Sequence, residues 1–377
     1  MKIAFLYSSK AGMTSLWNRS RVEEMREDEE EPPPDWFAEC DTDETIQAVY
    51  NALAERHEVI PVESDDRAYN RLKRERPDLV FNISERLTGP SRESHIPTLC
   101  EILGIPYTGS DPLTLGICLD KSRAKEILSY HGIPNPEFRI MDGGLFPIDD
   151  RFPFPAIVKP LYEGSSKGIR DSSVVKNAPE LVERVNEVVS AYHQPAIVER
   201  FLKGREFTAG VLGNHPNLEI LPVVEIDHSL LPAGANPIYS YEAKWVWDRP
   251  ENPLAIFKCP AVLSPELKAR MEDVITRACL VLRIRDWCRI DLRLDENDEP
   301  NILELNPLPG ILPNPEDNSC LPKAARTAGY SYSDLIHRVV HEACLRYGLK
   351  HEYGKPSDRH RLQRLRPDFR DARRARV

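Results

Sequence analysis

A chain of 377 residues with 41% hydrophobic and 29% charged side chains is a folded globular protein with room for two or three domains, not a disordered one. Its net charge of −10 argues against general nucleic-acid affinity, although residues 351–377 locally reverse the sign with nine Lys/Arg against four acids. The eight cysteines show no C-x-x-C pair or zinc spacing, and no apolar run approaches the length of a membrane span. Reduced thiols, a cytoplasmic location and no membrane partner are expected.

In chain order, KIAFLYS reads as a buried strand. Residues 10–42 form an excursion with seven acids between Glu23 and Glu31 followed by three prolines, expected as a solvated loop. Helical periodicity starts at Asp43, with Ile46, Val49 and Leu53 on one face. EVIPVES and DLVFNIS are buried strands, giving the alternation of a parallel α/β sheet. HIPTLCEILG is a short helix ended by Gly104, and Lys121 and Lys125 lead another. Residues 141–155, rich in Pro, Gly and acids, are expected to be a linker into the next domain. AIVK is a strand ending in Lys159, followed by EGSSKG, a turn whose N–H groups and hydroxyls suit a phosphate. A helix over PELVERVNEVV follows, then two strands about Lys203-Gly204, the second carrying Glu206. YSYEAKWVW is expected as a loop over a site. Ser264 caps a helix with Pro265 at its first position. After an irregular PLPGILPNPEDNSCLP, a last helix forms around SYSDLIHRVVHEACLRYG.

The stretch Arg289–Gly310 is the organising element. In RIDLRLD the polar Arg289, Asp291, Arg293 and Asp295 alternate with Ile290, Leu292 and Leu294, the period of a strand with one buried face. ENDEP is a turn, and NILELN resumes with Leu303 and Leu305 on one face and Glu304 and Asn306 on the other. Folded as a hairpin, Asp291, Glu304 and Asn306 converge. Two carboxylates and an amide oxygen are hard ligands suited to Mg2+ bound with a substrate phosphate; an amphipathic hairpin with a wet face is the plainer alternative.

The order LGIPYTGS, LDKSRAK, IVKPLYEGSSKGI, IVERFLKGREFT, YEAKW, RIDLRLD, LELNPLPG and SCLPKAARTAGYSYSDLI resembles the D-alanine–D-alanine ligase branch of the ATP-grasp superfamily over residues 96–345. The resemblance implies a mixed α/β ATP-grasp fold of three subdomains, with ATP between the central and C-terminal ones. The expected division is 1–117 (with the acidic insertion), 118–205, 206–350 and a basic tail over 351–377. It implies an ADP-forming ligase that makes an amide bond through an acyl-phosphate, using ATP and Mg2+ (two ions, with Mn2+ as a substitute), on amino-acid or peptide substrates, as a homodimer. Carried over by position, Lys121, Lys159 and Lys244 match phosphate-holding lysines, and Ser165 and Ser166 the loop that covers the phosphates. Glu199, Arg200 and Leu202 match the segment that reads adenine, and Glu206 the ribose-binding acid. Asp291, Glu304 and Asn306 match the metal ligands. Arg289 matches the arginine that neutralises charge on the reacting carboxyl group, with Ser165 and Gly310 in the same catalytic region.

The substrate-reading regions depart from the family. SSKAGMTSLWNRS replaces its glycine-rich first turn, NISERLTGPSRESH its HGxxGEDG segment, and Trp245 its tyrosine. Ser319 is the nearest serine in a longer loop after Gly310. Glu85, Arg86, Arg92, Glu93 and His95 are charged candidates without a one-to-one match. A substrate other than D-alanine is therefore expected; the competing readings are a D-alanine–D-alanine ligase proper, an ATP-grasp phosphotransferase and a nucleotide-binding regulatory scaffold.

Overall fold

A computed structural model describes residues 1–23, 32–143, 152–247 and 254–350; most of the acidic run after Glu23 and the basic tail from His351 lie outside them. Strands β1 (Lys2–Tyr7), β2 (Glu58–Glu63) and β3 (Leu79–Asn82) pair in parallel in the order β2-β1-β3. As a parallel strand covered on both faces, β1 is apolar and buried from Ile3 to Leu6. Ile3 and Phe5 pack toward the helix Asp43–Ala54, and Ala4 and Leu6 toward the helices Ala68–Glu75 and His95–Leu103.

Strands β4 (Phe138–Met141), β5 (Ala156–Pro160), β6 (Val174–Val175) and β7 (Ala196–Arg200) make an antiparallel sheet in the order β4-β7-β5-β6, backed by the helix Ala178–Tyr192. Residues 141–155 therefore join two strands of one sheet instead of linking domains, and Phe152 is buried in that sheet's core. A third sheet contains β8 (Glu206–Leu212), β9 (Glu219–Ile220), β10 (Val224–Ile226), β11 (Phe257–Lys258), β12 (Trp287–Leu294) and β13 (Pro300–Asn306). Its order is β11-β10-β8-β12-β13, with β9 on β8. Ile290 and Leu292 of β12 face the helix Pro265–Val281, which leaves Arg289, Asp291 and Arg293 on the other side.

Helix Pro265–Val281 starts where the sequence places it: the Ser264 hydroxyl accepts the Leu267 N–H at 3.2 Å, with Pro265 in the first turn. Ser264→Ala is expected to lower stability by about 1 kcal/mol without affecting activity, as read from a urea denaturation curve.

Two further segments differ from expectation. Residues 10–23 are a helix, and Asp35, Trp36 and Glu39 are buried against the second sheet, where a solvated loop was expected. Trp36 joins the core of Val158, Val185 and Ala196, an apolar area that outweighs the polarity of the neighbouring acids. A helix also forms over Cys320–Ala328, because Pro322 falls in its first turn, where no backbone N–H is needed.

The first and third sheets share one core. Phe81 lies edge-on to Trp287 at 5.8 Å, and Val49 and Leu53 belong to the same cluster as Leu335 and Val339 of the helix Tyr332–Tyr347. The buried Asp286 accepts the Gly109 N–H at 2.8 Å and pairs with Arg346 at 2.7 Å. The second sheet keeps a separate core.

Candidate active site

The β12–β13 hairpin sets Asp291 opposite Glu304 and Arg289 opposite Asn306. A bulge follows Asp291, so Leu303 is the extra residue. Simple alternation puts Leu303 on the core face with Leu305. Instead Ile302 and Leu305 fill the core, and Leu303 turns to the cavity beside Glu304. Arg289 grips Asp291 with two donors, Nε at 3.1 Å and Nη2 at 2.9 Å, and lies 3.6 Å from Glu304. The Asn306 amide nitrogen is 3.4 Å from both carboxylates, Thr208 donates to Asp291 at 2.5 Å, and Lys121 is 3.7 Å from Glu304. Burial acts to raise the Glu304 carboxyl, but Lys121 and Arg289 outweigh it and hold it at about 2. At Asp291 burial prevails over Arg289 and the shift is upward. No cluster of three His, Cys, Asp or Glu forms a metal site among the described residues; the converging set here is two carboxylates and one amide.

A cavity of about 190 Å3 lies between the second and third sheets. Its lining includes the apolar Ile157, Phe201, Leu202 and Ile238 and the charged Lys159, Lys244, Arg289, Asp291 and Glu304. Lys159, at the end of β5, pairs with Glu199 at 2.7 Å, and Lys125 reaches the other Glu199 oxygen at 3.2 Å. Glu199 and Lys159 thus satisfy each other inside the protein; burial opposes the Lys159 charge, and Glu199 more than restores it. Glu206 accepts from Arg293 at 2.8 Å and from His228 at 2.9 Å. Arg200 lines the cavity with its stem, while its guanidinium turns outward onto Glu296 at 2.5 and 2.6 Å.

The turn over this cavity is strained and clamped. Ser165 and Ser166 have φ of +50° and +61°, unfavourable for side chains with a Cβ. Gly168, at φ +68°, is required: a Cβ there would come within 2.9 Å of Tyr192. The Ser166 hydroxyl donates to the Tyr239 carbonyl at 3.0 Å, and Lys121 donates to the Glu163 carbonyl. From the N-terminal excursion, Glu39 accepts the Gly164 N–H at 2.8 Å and Asp35 accepts the Gly168 N–H at 2.9 Å. Glu39 and Glu163 interlock with Arg92 and Lys167, all four side chains at most 3% exposed.

A second cavity of about 430 Å3 shares Ser165, Lys244, Arg289 and Glu304 with the first and extends toward the first sheet. Gly310 lines it, and its carbonyl accepts from the Ser319 hydroxyl, which in turn receives the Leu312 N–H, both at 3.2 Å. Burial first, and then Arg289, push Lys244 down to about 8. Burial keeps Cys320, which lines both cavities, as a thiol at about 12, unsuited to act as a nucleophile.

The structure thus gathers Lys121, Lys159, Lys244, Ser165, Ser166, Leu202, Glu206, Arg289, Asp291, Glu304, Asn306 and Gly310 around two connected cavities; Glu199 is turned into an internal ion pair and Arg200 outward. Of the unaligned candidates, Glu85 and Glu93 line the second cavity, and Arg92 serves the buried quartet. Sequence reasoning missed Thr208, Arg293, Lys125, Lys167 and Glu39. Thr208 and Arg293 were findable: each stands two residues beyond a chosen acid, on the same strand face.

A family model for the D-ala D-ala ligase C-terminus matches residues 130–341. The uncharacterized protein y4sG of Sinorhizobium fredii is 34% identical over 325 residues, covering 84% of this chain and 91% of that protein. The D-alanine–D-alanine ligase of Desulforudis audaxviator is 33% identical over 300 residues, covering 78% and 90%. That of Bordetella pertussis is 37% identical over 248 residues, covering 64% and 72%. A crystal structure of the D-alanine–D-alanine ligase from Bacillus anthracis complexed with ATP superposes with a TM-score of 0.62 at 21% identity, over 92% of this chain and 98% of that one. The mixed α/β ATP-grasp fold expected from the sequence is the fold observed. With the family model spanning more than half of its residues and one-third identity along most of its length, this chain belongs to the D-alanine–D-alanine ligase family.

Proposed function

We propose that the chain is an ATP- and Mg2+-dependent ligase that joins the carboxylate of an amino-acid-like substrate to an amine through an acyl-phosphate. One observation carries this reading: two cavities, one partly lined by apolar side chains and one reaching toward the first sheet, meet at a hairpin that presents Arg289, Asp291, Glu304 and Asn306. In the first cavity, Leu202 and Phe201 receive the adenine, Glu206 the ribose, and Lys159 and Lys244 the phosphates, with Lys121 reaching them from the second cavity. Asp291, Glu304 and Asn306 would hold Mg2+, which when bound neutralises phosphate charge; Mn2+ offers the same preference for oxygen ligands.

A substrate carboxylate oxygen attacks the γ-phosphorus and ADP leaves. The amine nitrogen then attacks the acyl carbon, the carbon–oxygen bond to phosphate breaks, and the nitrogen gives up its proton. Arg289 lies where the carboxylate and later the tetrahedral oxyanion carry charge, so it contributes by electrostatic stabilisation, with backbone groups near Gly310 on the far side. The Ser165-Ser166 turn closes over the phosphates and excludes the water that would hydrolyse the acyl-phosphate. The division of the chain at residues 117 and 205 follows the same reading.

The test is ADP release by purified protein with ATP and Mg2+ against pooled amino acids and amines, with mass spectrometry of the products. ADP and a new amide are expected; a phosphorylated product without amide would assign a phosphotransferase, and absence of ADP with every pool would overturn the reading. A second expectation separates two arginines. Arg200→Ala should leave the KM for ATP within about twofold, since its guanidinium pairs outside with Glu296. Arg293→Ala, which strips the buried Glu206 of a charged partner, should raise it about tenfold or more.

A further inference from the structure

Two buried lysines share one buried glutamate beside the first cavity. Lys159 reaches one oxygen of Glu199 at 2.7 Å, and Lys125 lies 3.2 Å from the other. Glu199 is 0% exposed, Lys125 1% and Lys159 8%, so water does little to compensate their charges. Lys125 comes from the helix Lys121–Tyr130, Lys159 from the end of β5 and Glu199 from β7. The Lys125 ammonium also lies 3.5 Å from the Ile302 carbonyl on β13. Of the other carboxylates whose charge reaches Lys159, Glu304 is engaged by Lys121 and Arg289, and Glu206 by Arg293 and His228. Two ammonium groups on one carboxylate leave a surplus of one positive charge. Burial acts to raise the Glu199 carboxyl, but Lys125 and Lys159 outweigh it and keep it ionised. Lys159 and Glu199 line the cavity, whereas Lys125 does not.

A single lysine would already pair with Glu199. Burying a second ammonium group on the same carboxylate carries a desolvation penalty: burial lowers Lys125 from the ordinary lysine value, and Glu199 restores only part of it. We propose, building on the nucleotide assignment made above, that Lys125 is a positioning residue whose surplus charge keeps Lys159 available to the nucleotide phosphates. It acts through Glu199. With Lys125 in place, the carboxylate has a resident partner and Lys159 can be shared with an anion in the cavity. Without it, Lys159 and Glu199 close into a neutral pair, and the polyphosphate loses the field of one cation. The effect of Glu199 on phosphate binding therefore changes with its surroundings, since the carboxylate competes for Lys159 only when Lys125 is missing.

The experiment uses full-length protein and reads calorimetric binding, in the presence of Mg2+, of the β,γ-imido analogue of ATP and of adenosine, which lacks phosphates. Lys125→Met, of similar length and uncharged, should weaken the analogue about tenfold and leave adenosine within about threefold of wild type. Lys125→Gln, which also removes the charge but keeps a donor for the Ile302 carbonyl, should give the same result, and Lys125→Arg should recover most of the loss. Adding Glu199→Gln to Lys125→Met restores the surplus charge. The ratio of analogue to adenosine affinity should then return to within about threefold of wild type, the ratio being read because Glu199 adjoins the adenine end. Packing alone predicts the reverse: both ligands weaken together, and the second substitution adds to the first. Either of those results would overturn the inference, as would unchanged analogue binding in Lys125→Met and Lys125→Gln. The ligase reading fails separately. Wild-type protein that binds the analogue but forms no amide leaves the role of Lys125 standing without the ligase, and an amide-forming enzyme whose analogue binding ignores Lys125 loses this inference alone. Wild-type protein that binds neither ligand overturns both.

Discussion

Glu304→Gln and Asp291→Asn should each lower turnover by roughly 10²- to 10³-fold or more, while the circular dichroism spectrum and the denaturation midpoint stay close to wild type. The two carboxylates face each other across the hairpin on its cavity side, and Ile290, Leu292, Ile302 and Leu305 on the other side hold the core. Neutralising either acid therefore removes charge from the site without removing packing. Without Glu304, Lys121 and Arg289 lose an anionic partner, and without Asp291 the paired donors of Arg289 are released. Both changes also halve the carboxylate charge offered to a divalent cation, so raising Mg2+ or supplying Mn2+ should recover part of the loss. Rates measured by ADP release across a Mg2+ series decide the matter. Wild-type turnover in both variants would remove the hairpin from the metal assignment.

The other large effect concerns a residue far from the chemistry in sequence. Glu39→Gln should lower stability by about 3–5 kcal/mol, because it leaves two buried cations sharing one acid. It should also uncouple the reaction, with ADP forming in excess of amide as water reaches the acyl-phosphate under a loosened turn. Burial acts to raise the Glu39 carboxyl, but Lys167 and Arg92 pull it well below the usual carboxylate range. With its folded value depressed, Glu39 stabilises fully above the unfolded carboxylate range, near pH 4.3, and its contribution is lost only as pH falls below that. The gap between wild type and variant should thus be flat from pH 6 to 9 and shrink in acid. Glu75→Gln, which touches only the Lys2 and Arg74 pairs at the surface, is the control and should leave stability close to wild type. An unchanged ADP-to-amide ratio in Glu39→Gln would show that the clamp does not govern the turn.

Legibility in the sequence followed the range of the interactions. Asp291, Glu304 and Asn306 could be read from strand alternation, since period-2 geometry puts them on one face whatever else the chain does. The bulge that moves Leu303 to the cavity was hidden, because an extra residue in one strand leaves no mark on its own hydrophobic pattern. The role of residues 33–41 was missed for a different reason. Composition marked the acidic excursion as solvated, yet Asp35 and Glu39 are satisfied by Gly164, Lys167 and Gly168, more than a hundred residues away. Arg200 shows the limit of carrying a position over: the residue lines the cavity, yet its charge follows Glu296.

The core shared by the first and third sheets bears on the order in which the chain can fold as it is made. Val49 and Leu53 lie in one cluster with Leu335 and Val339, and the Ser333 hydroxyl reaches Glu55 at 2.6 Å. The N-terminal sheet is synthesised first, but the helix Asp43–Ala54 that covers one of its faces lacks its own packing partner until the helix Tyr332–Tyr347 emerges. The second sheet, closed by its own core from Trp36 to Val198, needs nothing beyond residue 200 for that packing. The middle of the polypeptide can therefore complete its packing before its beginning, and the N-terminal layer keeps part of its apolar surface exposed until residues 332–347 have left the ribosome.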